Sequence, residues 1–296
     1  MAQQVVNALV LGSVLTLFSL GLSLAWGTLD VLNLAHGALF VFAGYIAYEL
    51  AKSGSMPFPI LLAIAMAGSG AAAVVMELVA FRRIRSRFTV KRQAELSMLV
   101  ASIGASIILN EFIANQTGNQ PFAPGAEAFG VEAFTVASLR ITNIQLLIVV
   151  AAILAAVALQ LWIRRSKQGR AVRAVAYDVR VAELLGVNVN LVAGGTMFLS
   201  GMLAGLAGVL LAINISGQDI ATGEYYMLTA FAILIVGGVG SIPGTVIAAY
   251  LIAFAETAVV AYGPAQYRDG VAFLLILLML LLRPQGIFAR QRLKRA

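Results

Sequence analysis

Residues 164–189 read RRSKQGRAVRAVAYDVRVAELLGVNV and separate two long apolar runs. Six of these residues are cationic, Arg164, Arg165, Lys167, Arg170, Arg173 and Arg180, and only Asp178 and Glu183 oppose them. The stretch is nevertheless not patterned as a disordered tail. Ala171, Val172, Ala174, Val175 and Ala176 predict a short helix, and Val181, Ala182, Leu184 and Leu185 predict a second that ends at Gly186. Two readings of such a folded, charged knuckle stay open on composition alone. It is a positive topogenic loop that happens to be helical, or it is a surface built for something soluble to touch.

The apolar runs on either side set the fold class. Of 296 residues, 61% are hydrophobic and 11% charged, where soluble domains carry about 25% charged residues. Mean hydropathy is +0.94. These values predict an all-α polytopic integral membrane protein. With 28 glycines and only 7 prolines, many glycines must lie inside spans, where they let helices approach closely. There is no cysteine, which excludes disulfide and thiolate chemistry, and the single histidine, His36, excludes a multi-histidine metal site. The net charge of +7 is a topology signal and not a nucleic-acid signal, because the cations flank spans. No Lys or Arg precedes Lys52, so the first apolar run lacks the basic leader of a cleaved signal peptide and is expected to remain in the mature protein.

A span needs about 20 mostly apolar residues. Candidate runs cover 5–26, 31–50, 57–81, 94–114, 144–163, 191–213, 226–236, 245–262 and 271–282, the seventh being too short alone. That gives eight or nine transmembrane helices in a single membrane domain, 1–296. Segments 82–92, 164–180 and 283–295 hold 6, 6 and 5 of the 20 cations and are expected in the cytoplasm. Segments 115–143 and 216–224 hold only Arg140 against Glu127, Glu132, Asp219 and Glu224 and are expected outside. An odd crossing number then places the amino terminus outside and the carboxy terminus in the cytoplasm.

Two places break the helical pattern. WGTLDVLNLAHG, 26–37, sets Asp30, Asn33 and His36 among apolar runs, and GGVGSIPG, 237–244, does so with glycine and Pro243. Backbone freed at such breaks lines a cavity or is buried in protein, and paired breaks in the two halves of a chain point to a substrate path. An ordinary turn at the membrane surface is the alternative for each. The path candidates are Asn33, His36, Gly237, Gly238, Gly240 and Glu256. Other polar groups within the runs are Glu77, Asn110, Glu111 and Gln160. Glu77 lies just before the basic loop and is expected to pair with one of its arginines; Glu111 lies near the outer end of its run. Glu256 sits midway in its run, as a pathway carboxylate or a satisfied interhelical hydrogen bond. In SGMLAGLAG, 200–208, Gly201 and Gly205 are four apart, as are Ala204 and Gly208, which makes a smooth face for helix packing.

Several pieces taken together resemble the permease subunit of the branched-chain amino acid-type ABC importers. They are GLSLAWGTLDVLNLAHG (21–37), SKQGRAVRAVAYDVRVAELLGVNV (166–189), FLSGMLAGLAGVL (198–210), AFAILIVGGVGSIPGTVIAAYL (230–251) and RPQGIF (283–288), in order along almost the whole chain. The resemblance implies that 164–189 is the coupling segment that docks on an ATP-binding subunit, with Gly169, Arg170, Arg173, Ala174, Asp178, Leu185 and Gly186 at matching positions and Leu184 beside Leu185 as an anchor. It implies as partners one or two ATPase subunits, a second homologous permease in a heterodimer, an extracytoplasmic solute-binding protein and membrane lipid, with no nucleic acid. It implies a bacterial-type plasma (inner) membrane location and a cargo of branched-chain amino acids, other amino acids, amides or urea, moved by alternating access. No GxxxxGK[ST] sequence is present, so ATP and Mg are expected on a partner subunit, with no cofactor on this chain and no enzymatic activity of its own. An ion-coupled secondary transporter is the rival reading, with Glu256 its only centrally placed carboxylate. An intramembrane enzyme is the other, and scattered acids argue against it.

Overall fold

The computed structural model describes the chain except residues 53, 55, 89, 126–128, 137–138, 284–285 and 289–296. Glu127 and the last four cations of the tail, Arg290, Arg292, Lys294 and Arg295, lie outside the described residues. The chain is helical almost throughout: α1 Ala2–Leu29, α2 His36–Ala51, α3 Phe58–Met76, α4 Arg82–Arg87 and α5 Lys91–Thr117, then α6 Asn143–Arg165, α7 Lys167–Tyr177 and α8 Val179–Leu184, then α9 Val189–Ile215, α10 Ile220–Gly237, α11 Ile242–Tyr262 and α12 Arg268–Leu282. A π-helical turn, Glu77–Phe81, joins α3 to α4 without a break. A small antiparallel hairpin, β1 Ala133–Val136 and β2 Leu139–Thr142, decorates the 115–143 connection.

Seven helices are long and apolar enough to cross a membrane, and the apolar helices α2 and α12 are shorter, at 16 and 15 residues. Together they account for nine apolar helices among the described residues. Three boundaries differ from the sequence reading by about five residues or more. The second helix begins at His36 and not at 31, because residues 31–34 run without helical structure. The seventh begins at Ile220, so residues 220–224 are its first turn and not a polar connector. Asp219 makes this possible: its carboxylate accepts from Thr222 N–H at 2.8 Å while the Thr222 hydroxyl reaches back to Asp219 N–H, a reciprocal cap. The third continues through the π turn to Arg87. There Glu77, fully buried, is gripped by both terminal nitrogens of Arg85, the expected pairing of this acid with the basic loop.

Contacts at the two ends fix how the helices alternate. Gln3 at the start of α1 exchanges hydrogen bonds with the Arg140 backbone, 3.0 and 2.9 Å, and Phe122 pairs with Gln218 through two backbone bonds. The amino terminus, the hairpin and the α9–α10 turn therefore share one end. The opposite, basic end holds 82–88, α7, α8 and the α10–α11 turn, against which Gly286 packs. Gly286, just past α12, packs at the basic end, opposite the first residues of α1.

The middle of the bundle is built on small residues. α1 and α9 are the most enclosed spans, and α5 and α6 the least. A Cβ on Gly201 would lie 2.7 Å from the Ser69 carbonyl, one on Gly205 3.1 Å from Met66 Cα, and one on Gly208 would strike the Phe40 carbonyl. Ser69 uses this proximity, its hydroxyl lying 3.0 Å from the Leu39 carbonyl and 2.9 Å from that of Gly201. The 200–208 face thus lets α9 lie directly on α2 and α3, with van der Waals contact replacing a hydrophobic driving force that lipid does not supply.

Candidate functional site

The knuckle is assembled from the backbone upward. α6 stops at Arg165 because Ser166 turns extended, and the Ser166 hydroxyl caps α7 by accepting from Gly169 N–H at 2.7 Å. Gly169 must be glycine: a Cβ there would drive into the carbonyls of Trp162 and Ile163. Arg173 reaches back and donates to the Ile163 carbonyl, satisfying the open end of α6. Asp178 caps α8 through Val181 N–H at 3.0 Å. Gly186, at φ +81°, ends α8 with Val187 N–H returning to the Ala182 carbonyl at 3.0 Å, a six-to-one closure that needs the left-handed conformation.

Its inner face is apolar and locked to the spans. Val172, Val175 and Ala182 are buried with Leu20 and Leu24 of α1, Leu159 of α6, Val192 of α9 and Ile242 of α11. Its outer face is bare. Tyr177, Leu184 and Leu185 are 73%, 87% and 74% exposed, and Arg170 and Arg180 are exposed beside them. The residues singled out in the sequence therefore divide. Gly169, Arg173, Asp178 and Gly186 build the knuckle, Ala174 is half-buried within it, and Arg170, Leu184 and Leu185 face outward.

The first helix break runs from the basic end of α1 into the middle of the bundle. Asp30, at φ +54°, ends α1. The chain then turns back, and α2 begins where Asn33 Oδ1 accepts from Ala35 N–H at 3.0 Å and Leu34 N–H donates to Ser102 Oγ at 3.1 Å. His36 is fully buried, with Nε2 3.0 Å from the Phe18 carbonyl and Nδ1 3.5 Å from Ser200 Oγ. A carbonyl only accepts, so Nε2 carries the proton, and Nδ1 is left to accept from the serine. Phe18 lies eleven residues before the end of α1, roughly 16 Å along its axis. The first turn of α2 is thus well inside the bundle. A cavity of about 270 Å³ adjoins it, bounded by Gly37, Ala38, Ser106, Asn110, Gly223 and Glu224.

The second break is of another kind. Gly238 and Gly240 have φ of +93° and +76°, Gly237 lies against Gly244, and Gly240 lies against Gly27 near the basic end of α1. Ile287 N–H donates to the Val236 carbonyl at 2.9 Å, so the tail closes over the turn. It is a packed turn. Gly27 opens the first break and touches Gly240, but Gly27 and Phe18 are nine residues apart on α1, so His36 lies about 13 Å from that level. Asn33 and His36 come together; Gly237, Gly238 and Gly240 sit apart from them.

Glu256 occupies a third place, toward the end opposite the knuckle. It is fully buried, and its Oε2 accepts from Tyr225 O–H at 2.6 Å and from Arg268 Nε at 3.3 Å. It borders a second cavity of about 580 Å³. Tyr225, Arg268, Ser200 and Phe18 were not singled out from the sequence. Arg268 carried a signal, as a cation outside the three basic segments at the head of an apolar run; the others did not.

The family described as branched-chain amino acid transport system / permease component matches residues 4–280. The chain belongs to this family. It is similar to the high-affinity branched-chain amino acid transport system permease protein BraD of Pseudomonas aeruginosa, 33% identical over 99% of this chain and 97% of that protein. It is similar also to the corresponding LivH permease of Escherichia coli K12, 31% identical over 99% and 97%. A probable branched-chain amino acid transport permease of Methanocaldococcus jannaschii is 27% identical over 95% and 90%. The chain is thus a multi-pass permease of the ABC importer type in an inner membrane.

Proposed function

We propose that this permease moves branched-chain amino acids inward, and that residues 164–189 dock on a separate ATP-binding subunit that supplies the energy. The observation that carries the docking reading is the two-faced knuckle. One face is buried among α1, α6, α9 and α11, while the other leaves Tyr177, Leu184 and Leu185 without cover in this chain. Apolar anchors at the centre of a contact and cations around them are the composition of a protein interface. A push on such a rigid element is passed to four spans at once.

In this reading the basic end faces the cytoplasm by the positive-inside bias, so the amino terminus is outside. ATP and Mg are held by the partner, and this chain contributes translocation without catalysis. The relatives' names support the cargo, and amides, urea or other amino acids are its variants. A second, homologous permease completes a heterodimer, and a solute-binding protein delivers cargo to the outer end. Tilting of the four clamped spans opens the path to one side at a time. A secondary transporter needs a carboxylate that exchanges its proton or ion, whereas Glu256 is held by Tyr225 and Arg268.

The test is Leu184→Asp with Leu185→Asp in the assembled transporter, measuring membrane insertion, co-purification of the ATPase and ATP-driven leucine uptake. Normal insertion with at least tenfold less co-purified ATPase and uptake is expected, a loss of about 1.4 kcal/mol or more in docking. Undiminished co-purification with normal uptake refutes the coupling role.

A further inference from the structure

The larger cavity lies toward the end opposite the knuckle, inside this one chain. Its walls come from α1, α6, α9, α10, α11 and α12. About 580 Å³ is within the range of small-molecule sites. Its lining has two characters. Val10, Val14, Leu211 and Val260 make an apolar wall, and Asp219, Glu256 and Arg268 bring three charges to the same space.

The Glu256–Arg268 pair is costly where it stands. Glu256 is fully buried in a span, and a buried ion pair generally gives no more stability than an apolar pair of the same volume. Ionic groups held in that position mark a path. The pair is also arranged asymmetrically. Arg268 meets Glu256 through Nε at 3.3 Å and lies over the Tyr225 ring at 4.9 Å, while its side chain remains 38% exposed. A guanidinium has five N–H donors in a planar fork, and one from each of its two terminal nitrogens can together match a carboxylate. Asp219 is the carboxylate of the α10 cap, and its Oδ1 serves Thr222.

We infer that this cavity is a vestibule for the zwitterionic head and aliphatic side chain of an α-amino acid. The carboxylate of the solute pairs with Arg268, its ammonium group faces Asp219, and its side chain lies along Val10, Val14, Leu211 and Val260. The site belongs to a single permease and is separate from any path between two permeases. It rests on the cargo reading above for its ligand and on the cavity for its place.

The chain has no cysteine, so one introduced thiol reports on the cavity. Thr257 lines it and is close to cysteine in size. Thr257→Cys is made in the assembled transporter in right-side-out vesicles and labelled with a membrane-impermeant cationic methanethiosulfonate, with and without leucine; ATP-driven leucine uptake is measured in the same vesicles. Leucine is expected to slow labelling about fivefold at a concentration about four times its Kd. Protection is expected to vanish when Arg268→Gln and Glu256→Gln are added together, and to survive in part with Arg268→Lys. Equal labelling with and without leucine, in vesicles that take leucine up, overturns the vestibule and leaves the cargo reading intact. Protection without uptake supports the vestibule and overturns the cargo reading. Neither protection nor uptake overturns both, and a thiol that does not react from outside overturns the vestibule.

Discussion

Gly169 and His36 show how much of this permease rests on single residues. A Cβ at position 169 meets two carbonyls of α6 with no room to move. Gly169→Ala is therefore expected to cost about 1–3 kcal/mol, the usual range for overpacking, and to lower the melting temperature of the solubilised protein. His36 is buried between Phe18 and Ser200 and donates through Nε2. His36→Leu removes both bonds and leaves the serine hydroxyl unpaired, a loss of about 1–3 kcal/mol; His36→Gln keeps a donor and is expected to lose less. Thermal melts that rank native above Gln above Leu agree with this, and equal melts for all three contradict it. The sequence made His36 visible as a polar residue in an apolar setting. Its partners were invisible, because one is 18 residues before it and the other 164 after it.

At the scale of elements, apolar runs located every spanning helix, and local chemistry decided where each begins. Residues 31–34 are as apolar as a span, yet α2 starts at His36 because Asp30 takes the left-handed conformation and Asn33 and Ser102 hold the turn that follows. Hydropathy carries no information about such side-chain locks. SGQDIATGE, 216–224, is polar enough to pass for a connector, and its second half is helical because Asp219 and Thr222 cap each other. Asp219→Ala is expected to cost about 1 kcal/mol and to fray the first turn of α10, seen as faster amide exchange at 221–224 without change in α9. The 200–208 glycine face was legible, since four-residue spacing of small residues has a single structural use in a membrane; that α2 and α3 are its partners was not. Gly208→Leu is expected to prevent α9 from seating on α2 and to abolish recovery of monodisperse protein in detergent.

Across the whole molecule, charge and burial assign different tasks to the two ends. The basic end holds the knuckle, with its structural half made of Gly169, Arg173, Asp178 and Gly186 and its outward half made of Arg170, Leu184 and Leu185. This division follows from which backbone groups each side chain reaches, and spacing along the sequence does not reveal it. The other end holds the larger cavity and the Glu256–Arg268 pair. In the proposed function the outward half of the knuckle touches a nucleotide-binding subunit. Leu185→Cys, a single thiol in an otherwise cysteine-free chain, tests it in the assembled complex with a short bifunctional thiol reagent and with a soluble thiol label. A cross-link to the ATP-binding subunit and protection of the introduced thiol from the soluble label are expected when that subunit is present. A thiol that is labelled equally well with and without the subunit, and that forms no cross-link to it, would show that this face does not dock there.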